Sequence, residues 1–492
     1  MRLDALLHPF AADLGASDLG ASDLGARDVV AIASDSRAVT PGALFFAIAG
    51  AKADGARFAA EAVRRGAIAI VTERPLDQAG APAIVVTDAR AALAHAAARL
   101  APRQPPVIAA ITGTSGKTSV AAFLRQIWVS CGRSAASLGT IGVVAPSGAI
   151  YGSLTTPDPI SLHQTLDRLA GEGVTHLAME ASSHGLAQRR LDGVRLTAGA
   201  FTNLSRDHLD YHADLEEYLA AKLRLFDTLL GSGRPVVVDA DSDVAPRVLA
   251  CARQRGLQAL TVGAQGDFIR LLARAPDGLN THLTLEHAGE RYSVRLPLAG
   301  AFQTANALVA AGLALAGGET AATAMAALEQ LEGAPGRLEY VGARQGGAAF
   351  VDYAHKPAAL ENALDALRPF VRGKLILVFG CGGDRDRGKR ALMGAIAARR
   401  ADLVIVTDDN PRSEMAHAIR SEIIAGAQGG GAVLREIGDR AAAIEAGVAA
   451  LGDGDLLLIA GKGHETGQII GETVLPFCDR DVLRTALEGR NR

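Results

Sequence analysis

The run VIAAITGTSGKTS, residues 107–119, constrains this chain more than any other stretch. VIAAI is a short, wholly apolar segment of the kind that forms a buried strand. Gly113, Thr114, Ser115 and Gly116 follow at once. Beyond Lys117, the apolar residues Val120, Phe123, Leu124, Ile127 and Trp128 recur at i, i+3, i+4, i+7 and i+8, which is one face of a helix. Strand, glycine loop and helix in immediate succession make a cradle for phosphate. Backbone N–H groups and the helix N-terminus face the anion, Lys117 reaches the outer phosphates, and the Thr118 hydroxyl holds Mg²⁺. The common pattern also has a glycine separated by four residues from the Gly-Lys pair. That position is Ile111 here, so the loop is a shortened one. Gly113 through Ser119 are the candidate nucleotide-phosphate residues.

Similar apolar runs alternate with alanine-rich helical stretches along the chain. Strands are expected at 67–73, 82–88, 107–111, 176–181, 196–204, 235–241, 348–355, 374–380, 402–410 and 455–463. Continuous apolar strands separated by helices predict parallel α/β sheets, in which ligands bind at the carboxyl ends of strands. The polar tails SSH, TNLSRDH, DYAH, GCGGDRD, TDDNPR and GKGHE are therefore where chemistry belongs. Prolines in APRQPP (101–106) mark one linker, and EGAPGR (332–337) marks a second boundary. With 492 residues, about three domains are expected, at 1–102, 103–333 and 334–492. A DLGAS repeat at 13–27 has too short a period for a solenoid and reads as an insertion without chemistry.

Fifty basic and 53 acidic residues argue against broad nucleic-acid-binding surfaces. The N-terminal residues do not have the pattern of a signal peptide, and no apolar run reaches the ~18 residues of a membrane span. Cys131, Cys251, Cys381 and Cys478 are widely spaced, as expected for reduced thiols in a cytoplasmic enzyme.

The shortened loop TGTSGKT resembles that of the Mur ligases and their relative folylpolyglutamate synthetase. Further segments follow in family order: SDSR (34–37), LTTPDP (154–159), MEASSHGLAQRR (179–190), TNLSRDHLDYH (202–212), YLAAKLRLF (218–226), LAGAFQTANALVA (298–310), PGRLE (335–339), DYAHKP (352–357), GCGGDRDRGKR (380–390), DNPR (409–412) and GKGHE (461–465). The resemblance implies a UDP-sugar-binding domain, a central ATPase-like parallel sheet and a Rossmann-like amino-acid domain. It implies ATP-dependent addition of meso-2,6-diaminopimelate to the D-glutamate of UDP-N-acetylmuramoyl-L-alanyl-D-glutamate, through an acyl phosphate, by a cytoplasmic monomer without nucleic-acid or membrane partners.

Residue roles come from the same resemblance. Lys117, Glu180, His208 and Lys222 carry over as catalytic, with Thr118, Glu180, His208 and a CO₂-derived carbamate on Lys222 as Mg²⁺ ligands. His208 and His212 also have the i, i+4 spacing of a zinc site, but Leu209 stands where a zinc protease needs glutamate. Asn306, Arg337 and Asp352 carry over as nucleotide contacts. Ser34, Ser36, Thr155, Thr156, Ser182, Gln188 and Arg190 carry over to the UDP-muramoyl-dipeptide. Diaminopimelate has a carboxylate that lysine lacks, and an arginine fork is its natural reader. Arg385, Asp409, Asn410, Pro411, Arg412, Gly461 and Glu465 are the amino-acid candidates, with Asn410 meeting either the amine or the carboxylate. Ser115 and Lys356 depart from the usual Asn and Thr. Competing readings are a lysine-adding, D-Ala-D-Ala-adding or folylpolyglutamate-forming ligase, or a non-catalytic nucleotide-binding regulator.

Overall fold

The structure, a computed structural model, describes residues 1–10, 24–50, 53–76, 80–152, 154–205 and 211–489. His208 and most of the DLGAS repeat lie outside the described residues. Two compact units emerge. The first comprises Met1–Lys117, Trp128–Thr261 and Leu313–Gly318; the second comprises Thr118–Ile127, Val262–Gly312 and Glu319–Arg492.

The first unit opens with a four-stranded parallel sheet, β1 (Ala31–Ala33), β2 (Ala43–Phe46), β3 (Ala69–Thr72) and β4 (Ala83–Val85), paired in chain order. Leu44, Phe46 and Val71 pack on one face, with Leu93 of the helix Ala89–Leu100; Phe45 and Ile70 pack on the other. Burial on both faces explains why these strands lack polar alternation.

The larger sheet of this unit contains β5 (Val107–Thr112), β6 (Ala135–Gly139), β7 (Gly142–Ala145), β8 (Gly148–Ile150), β9 (His176–Glu180), β10 (Ala198–Phe201), β11 (Pro235–Asp239) and β12 (Gln258–Gly263). Its order is β12-β11-β10-β5-β9-β6-β7-β8. β5 is central, with β9 and β10 parallel on either side, so the loop after β5 opens where the winding direction reverses. Ile108, Ala110, Leu177, Met179, Phe201, Val236 and Val238 build one core layer. The helix Lys117–Ser130 buries Val120, Phe123, Leu124, Ile127 and Trp128, the residues its periodicity selects.

The second unit carries an antiparallel ribbon, β13 (Ile269–Asp277), β14 (Asn280–His287) and β15 (Glu290–Leu296). Its main sheet contains β16 (Glu339–Arg344), β17 (Gly347–Asp352), β18 (Leu375–Phe379), β19 (Leu403–Val406), β20 (Val433–Glu436) and β21 (Leu456–Ala460), in the order β16-β17-β21-β18-β19-β20. All but β16 run parallel. The winding reverses between β18 and β21, so the tails after Phe379 and Ala460 face one crevice. A hairpin, β22 (Gly467–Ile470) and β23 (Thr473–Pro476), follows. Each of the ten expected strands is present. The antiparallel pieces β7–β8, β13–β15, β16 and β22–β23, and the parallel strands β1, β2, β6, β12 and β20, lie outside the expected set. In β14 buried positions alternate with more exposed ones, a period-2 signal of one-faced burial that continuous apolar runs do not have.

Candidate active site

In the first unit the site grows from the tails of β5, β9 and β10. Gly113 has φ +141° and Gly116 has φ +87°. A Cβ on Gly113 would stand 2.0 Å from Thr202 Oγ1, so the loop passes its neighbour at a distance only glycine allows. Hydrogen bonds stitch it to the β10 tail: Thr114 N–H to Asn203 O (2.8 Å), Ser115 N–H to Asn203 Oδ1 (3.0 Å) and Thr202 Oγ1 to Ser115 O (2.6 Å). Those two loop N–H groups are thus engaged within the protein. Lys117 Nζ lies against the loop, donating to Gly113 O (2.9 Å) and Thr114 O (2.8 Å).

Lys222 reaches the same loop from the helix Leu215–Arg224. It is 1% exposed; its Nζ donates to Gly113 O at 2.7 Å and lies 4.2 Å from the Tyr218 ring centre. A solvated helix lysine would have neither feature. The helix runs on as a π-turn at Leu225–Leu229, a distortion frequent at functional sites.

Glu180 ends β9 and is 1% exposed. Its Oε1 accepts Thr140 N–H (2.7 Å), its Oε2 accepts Thr140 Oγ1 (3.2 Å), and Thr140 Oγ1 meets Thr155 Oγ1 (3.0 Å). A Cβ on Gly139 would stand 2.0 Å from Glu180 Oε1. Thr156 Oγ1 donates to Glu180 O (2.9 Å) and accepts from Ser182 N (3.1 Å). Arg190 donates to Thr156 O (2.6 Å) and to Gln188 Oε1 (2.7 Å); Gln188 donates to Tyr211 Oη (3.1 Å). Thr155, Thr156, Ser182, Gln188 and Arg190 therefore form one cluster with Glu180. Thr140 and Tyr211 belong to it without having been singled out from sequence. Ser34 and Ser36 sit apart, after β1: Ser36 donates to Glu61 (2.9 Å) and Ser34 is exposed.

In the second unit Asp352 ends β17. Its carboxylate accepts Leu338 N–H and Ala354 N–H, both at 2.7 Å, and burial pushes its pKa upward against the pull of Arg337. The Arg337 guanidinium lies 4.9 Å from the Tyr353 ring centre, and the Tyr353 and His464 rings lie 5.0 Å apart, tilted at 45°. Arg337 Nε and His464 Nδ1 are buried without hydrogen-bond partners among the described residues. Burial and the Arg337 charge pull His464 down to about 4, so its ring is neutral near pH 7. Asn306 is buried; its Nδ2 donates to Gln303 Oε1 (3.2 Å), and Gln303 donates to Arg337 O (2.9 Å). Asn306, Arg337 and Asp352 are thus linked through Gln303 and Leu338.

The tails of β18, β19 and β21 converge in the same unit. Arg412 has φ +54°, and its Nη1 donates to Gly383 O (2.8 Å) and Asn410 O (3.5 Å). Gly383 N–H returns to Asn410 O (2.9 Å), while a Cβ on Gly383 would stand 1.9 Å from Pro411 O. Fully buried Arg390 braces both loops, donating to Glu414 (2.8 Å) and Glu422 (3.1 Å); that guanidinium holds Glu414 down to about 2. Arg385 is exposed on the first loop. Gly461 approaches Asp409 so closely that a Cβ would stand 2.6 Å from Oδ2. Asn410 Nδ2 donates to Glu465 Oε2 (2.9 Å), and buried Lys462 donates to Asn410 Oδ1 (2.9 Å) and Glu465 Oε2 (3.0 Å). Lys462 lies within GKGHE, but outside the amino-acid candidates that the sequence offers.

Three family models match the chain: Mur ligase family, catalytic domain, at 28–100; Mur ligase middle domain at 111–314; and Mur ligase, glutamate ligase domain, at 336–463. Among curated relatives, the UDP-N-acetylmuramoyl-L-alanyl-D-glutamate–2,6-diaminopimelate ligase of Bradyrhizobium diazoefficiens is 59% identical, covering 94% of this chain and 95% of that one. That of Agrobacterium fabrum is 55% identical, with 93% and 92% covered. A solved structure bearing the same enzyme name matches with TM-score 0.73 and 31% identity over 99% of both chains. The MurF ligase from Thermotoga maritima in complex with ADP shares the fold at TM-score 0.61 and 19% identity, over 94% and 98%.

Proposed function

The chain belongs to the Mur ligase family, and on that premise we propose that it joins meso-2,6-diaminopimelate to the D-glutamate of UDP-N-acetylmuramoyl-L-alanyl-D-glutamate. It is an ATP-dependent, amide-bond-forming ligase of peptidoglycan precursor synthesis. One observation carries the choice of amino acid: Asn410 bridges the Arg412 guanidinium and the Glu465 carboxylate. Diaminopimelate ends in a carboxylate and an ammonium, the groups that such a pair reads; lysine ends in an ammonium alone.

A free carboxylate is a poor electrophile, which is why ATP is consumed. In the proposed sequence a D-glutamate carboxylate oxygen attacks the γ-phosphorus, and ADP leaves with the electrons of the broken P–O bond. The diaminopimelate amine then adds to the acyl carbon. Phosphate departs with the C–O electrons and the amine's proton goes to solvent. Phosphoryl transfer of this kind depends on positioning and charge neutralisation. Gly113 to Ser119 would hold the phosphates, with Lys117 swinging from its loop carbonyls to the outer phosphate. Thr155, Thr156, Ser182, Gln188 and Arg190 would seat the muramoyl-dipeptide, and Ser34 and Ser36 its uridine end. Asn306, Arg337 and Asp352 are proposed nucleotide contacts, which the buried Arg337 Nε, without a hydrogen-bond partner among the described residues, supports. Arg385, Asp409, Asn410, Pro411, Arg412, Gly461 and Glu465 are proposed for diaminopimelate.

The donor set suits Mg²⁺, a hard cation that prefers oxygen. Glu180 offers a buried carboxylate, Thr118 a buried hydroxyl, and Lys222 a nitrogen that can be converted. Addition of the neutral Lys222 amine to CO₂ forms an N–C bond, releases a proton and leaves a carbamate anion. The N–H that a carbamate keeps can retain the bond to Gly113 O. Bound Mg²⁺ would supply neutralisation of phosphate charge; His208 is the further proposed ligand.

The boundaries 1–102, 103–333 and 334–492 are kept as a proposal, supported by the three family matches falling inside them. A monomeric cytoplasmic enzyme without nucleic-acid or membrane partners is proposed too; the near-balanced charge supports the nucleic-acid part of that reading. No helix among the described residues is long and apolar enough to cross a membrane. The direct test measures phosphate release with ATP and UDP-muramoyl-dipeptide, comparing diaminopimelate, lysine and D-Ala-D-Ala. Turnover is expected with diaminopimelate; preference for either alternative overturns the assignment.

A further inference from the structure

Lys462 is fully buried, and an ammonium only donates hydrogen bonds. Its Nζ points at Asn410 Oδ1 (2.9 Å), where Ile469 N–H also arrives (2.9 Å). Two donors on one atom fix the orientation of the Asn410 amide, because a flipped amide would set its NH₂ against both. The other end, Nδ2, then faces Glu465 Oε2 (2.9 Å), which also takes the Lys462 ammonium (3.0 Å). Gln468 Nε2 on Asp409 O (2.8 Å) and Arg412 N–H on Ile469 O (3.1 Å) hold the same loop to β22.

We propose that Lys462 is a positioning residue that sets the hydrogen-bond polarity of the amino-acid site, an inference that rests on the diaminopimelate reading above. Both lone-pair directions of Asn410 Oδ1 are filled, so Asn410 offers the ligand only an N–H. Among the described residues, Glu465 has Oε2 occupied twice and Oε1 left as an acceptor. Asn410 therefore donates to a carboxylate, and Glu465 accepts from the ammonium. The two contacts open to Asn410 from sequence reduce to one. Lys462 touches no substrate and acts through these two side chains. A neutral side chain in its place would leave Ile469 N–H as the one remaining donor shown on Asn410 Oδ1 and let Glu465 turn toward solvent, loosening the amide's orientation.

Lys462→Met keeps the length and removes the charge. The expected result is a rise of about 30-fold or more in KM for diaminopimelate, with kcat within about threefold, since the lost partner is buried and charged. KM for ATP and for UDP-muramoyl-dipeptide should hold. In the double variant Lys462→Met/Glu465→Gln, the loss should fall short of the sum of the two single losses, because both changes act on the Glu465 contact. Asn410→Asp is a second, independent arm. It preserves the acceptor facing Lys462 and Ile469 N–H but sets an oxygen in place of the donor, against Glu465 Oε2, so KM for diaminopimelate should rise and melting temperature should fall. Equal KM increases for all three substrates, additive losses in the double variant, or an unimpaired Asn410→Asp would each overturn the role of Lys462. Should Lys462→Met fail to fold, Lys462→Arg decides: it keeps the charge and the donors, so KM for diaminopimelate should rise alone, and equal KM increases for all three substrates would overturn the role of Lys462. A wild-type enzyme that rejects diaminopimelate would overturn the substrate reading, and this inference with it, before any variant is compared.

Discussion

Arg412→Ala separates two jobs that one guanidinium performs. Its Nη1 donates to Gly383 O at 2.8 Å, which ties together the loops after β18 and β19. Losing a charged donor to a backbone carbonyl costs about 1.5 kcal/mol, or roughly tenfold in kcat/KM. That loss falls on every amino acid alike. The rest of the fork is proposed to pair with the carboxylate that diaminopimelate has and lysine lacks. Removing one partner of such a charge-assisted pair costs about 2–4 kcal/mol, roughly a further 30- to 1000-fold, for diaminopimelate only. The expected outcome is thus about a 10-fold fall for lysine against about 300- to 10,000-fold for diaminopimelate. The left-handed backbone, at φ +54°, supplies a control. Arg412→Gly removes the same guanidinium while relieving that conformation, so its two losses should match those of alanine. The assay is phosphate release with ATP and UDP-muramoyl-dipeptide saturating, for both amino acids, in wild type and variants. Equal proportional losses would refute the carboxylate pairing and leave Arg412 as a loop brace.

Four other perturbations have defined outcomes. Lys117→Ala should lower ligation by at least about 100-fold with an unchanged circular dichroism spectrum; near-normal turnover would end the loop assignment. Lys222→Ala should be nearly inactive and unresponsive to bicarbonate, while small carboxylic acids restore part of its phosphate release; full activity without additive would exclude the carbamate. Gly113→Ala meets both φ +141° and Thr202 Oγ1 at 2.0 Å, so it should lower the melting temperature and abolish turnover together; a stable, active variant would show that the loop tolerates a Cβ. Asp239 is pushed up by burial from 3.8 to about 6, so the folded chain binds the extra proton. Stability should therefore fall as pH climbs from about 4 through 6, and Asp239→Asn should remove about 2 kcal/mol of that loss at pH 7, a gain of about 2–4 °C in melting temperature. A pH profile of melting temperature identical to wild type would contradict this.

What could be read from the sequence follows from how each signal is encoded. β5, β9, β18 and β21 are buried on both faces, so their apolar runs are visible without partners. The helix Lys117–Ser130 declares its buried face through 3.6-residue periodicity. The β13–β15 ribbon buries fewer of its residues, and β13 is exposed over most of its length, so hydrophobicity marks it weakly.

The site divides along the same line. Lys117 and the glycines around it sit in a contiguous stretch whose spacing is its own signal. Lys222 is different: its tie to Gly113 spans 109 residues, and only the fold brings the two together. Lys462 is harder still. Its neighbours in sequence, Gly461 and Gly463, suggest a solvated turn, and a lysine there reads as surface charge. It is buried because β21 delivers it beneath Asn410, 52 residues away, and because Glu465, one turn on, supplies the opposite charge. Burying an ammonium is costly unless such partners are in place, so the triad stands or falls together. Removing Lys462 should therefore disturb Asn410 and Glu465 more than it disturbs β21, whose five residues are buried whatever follows them.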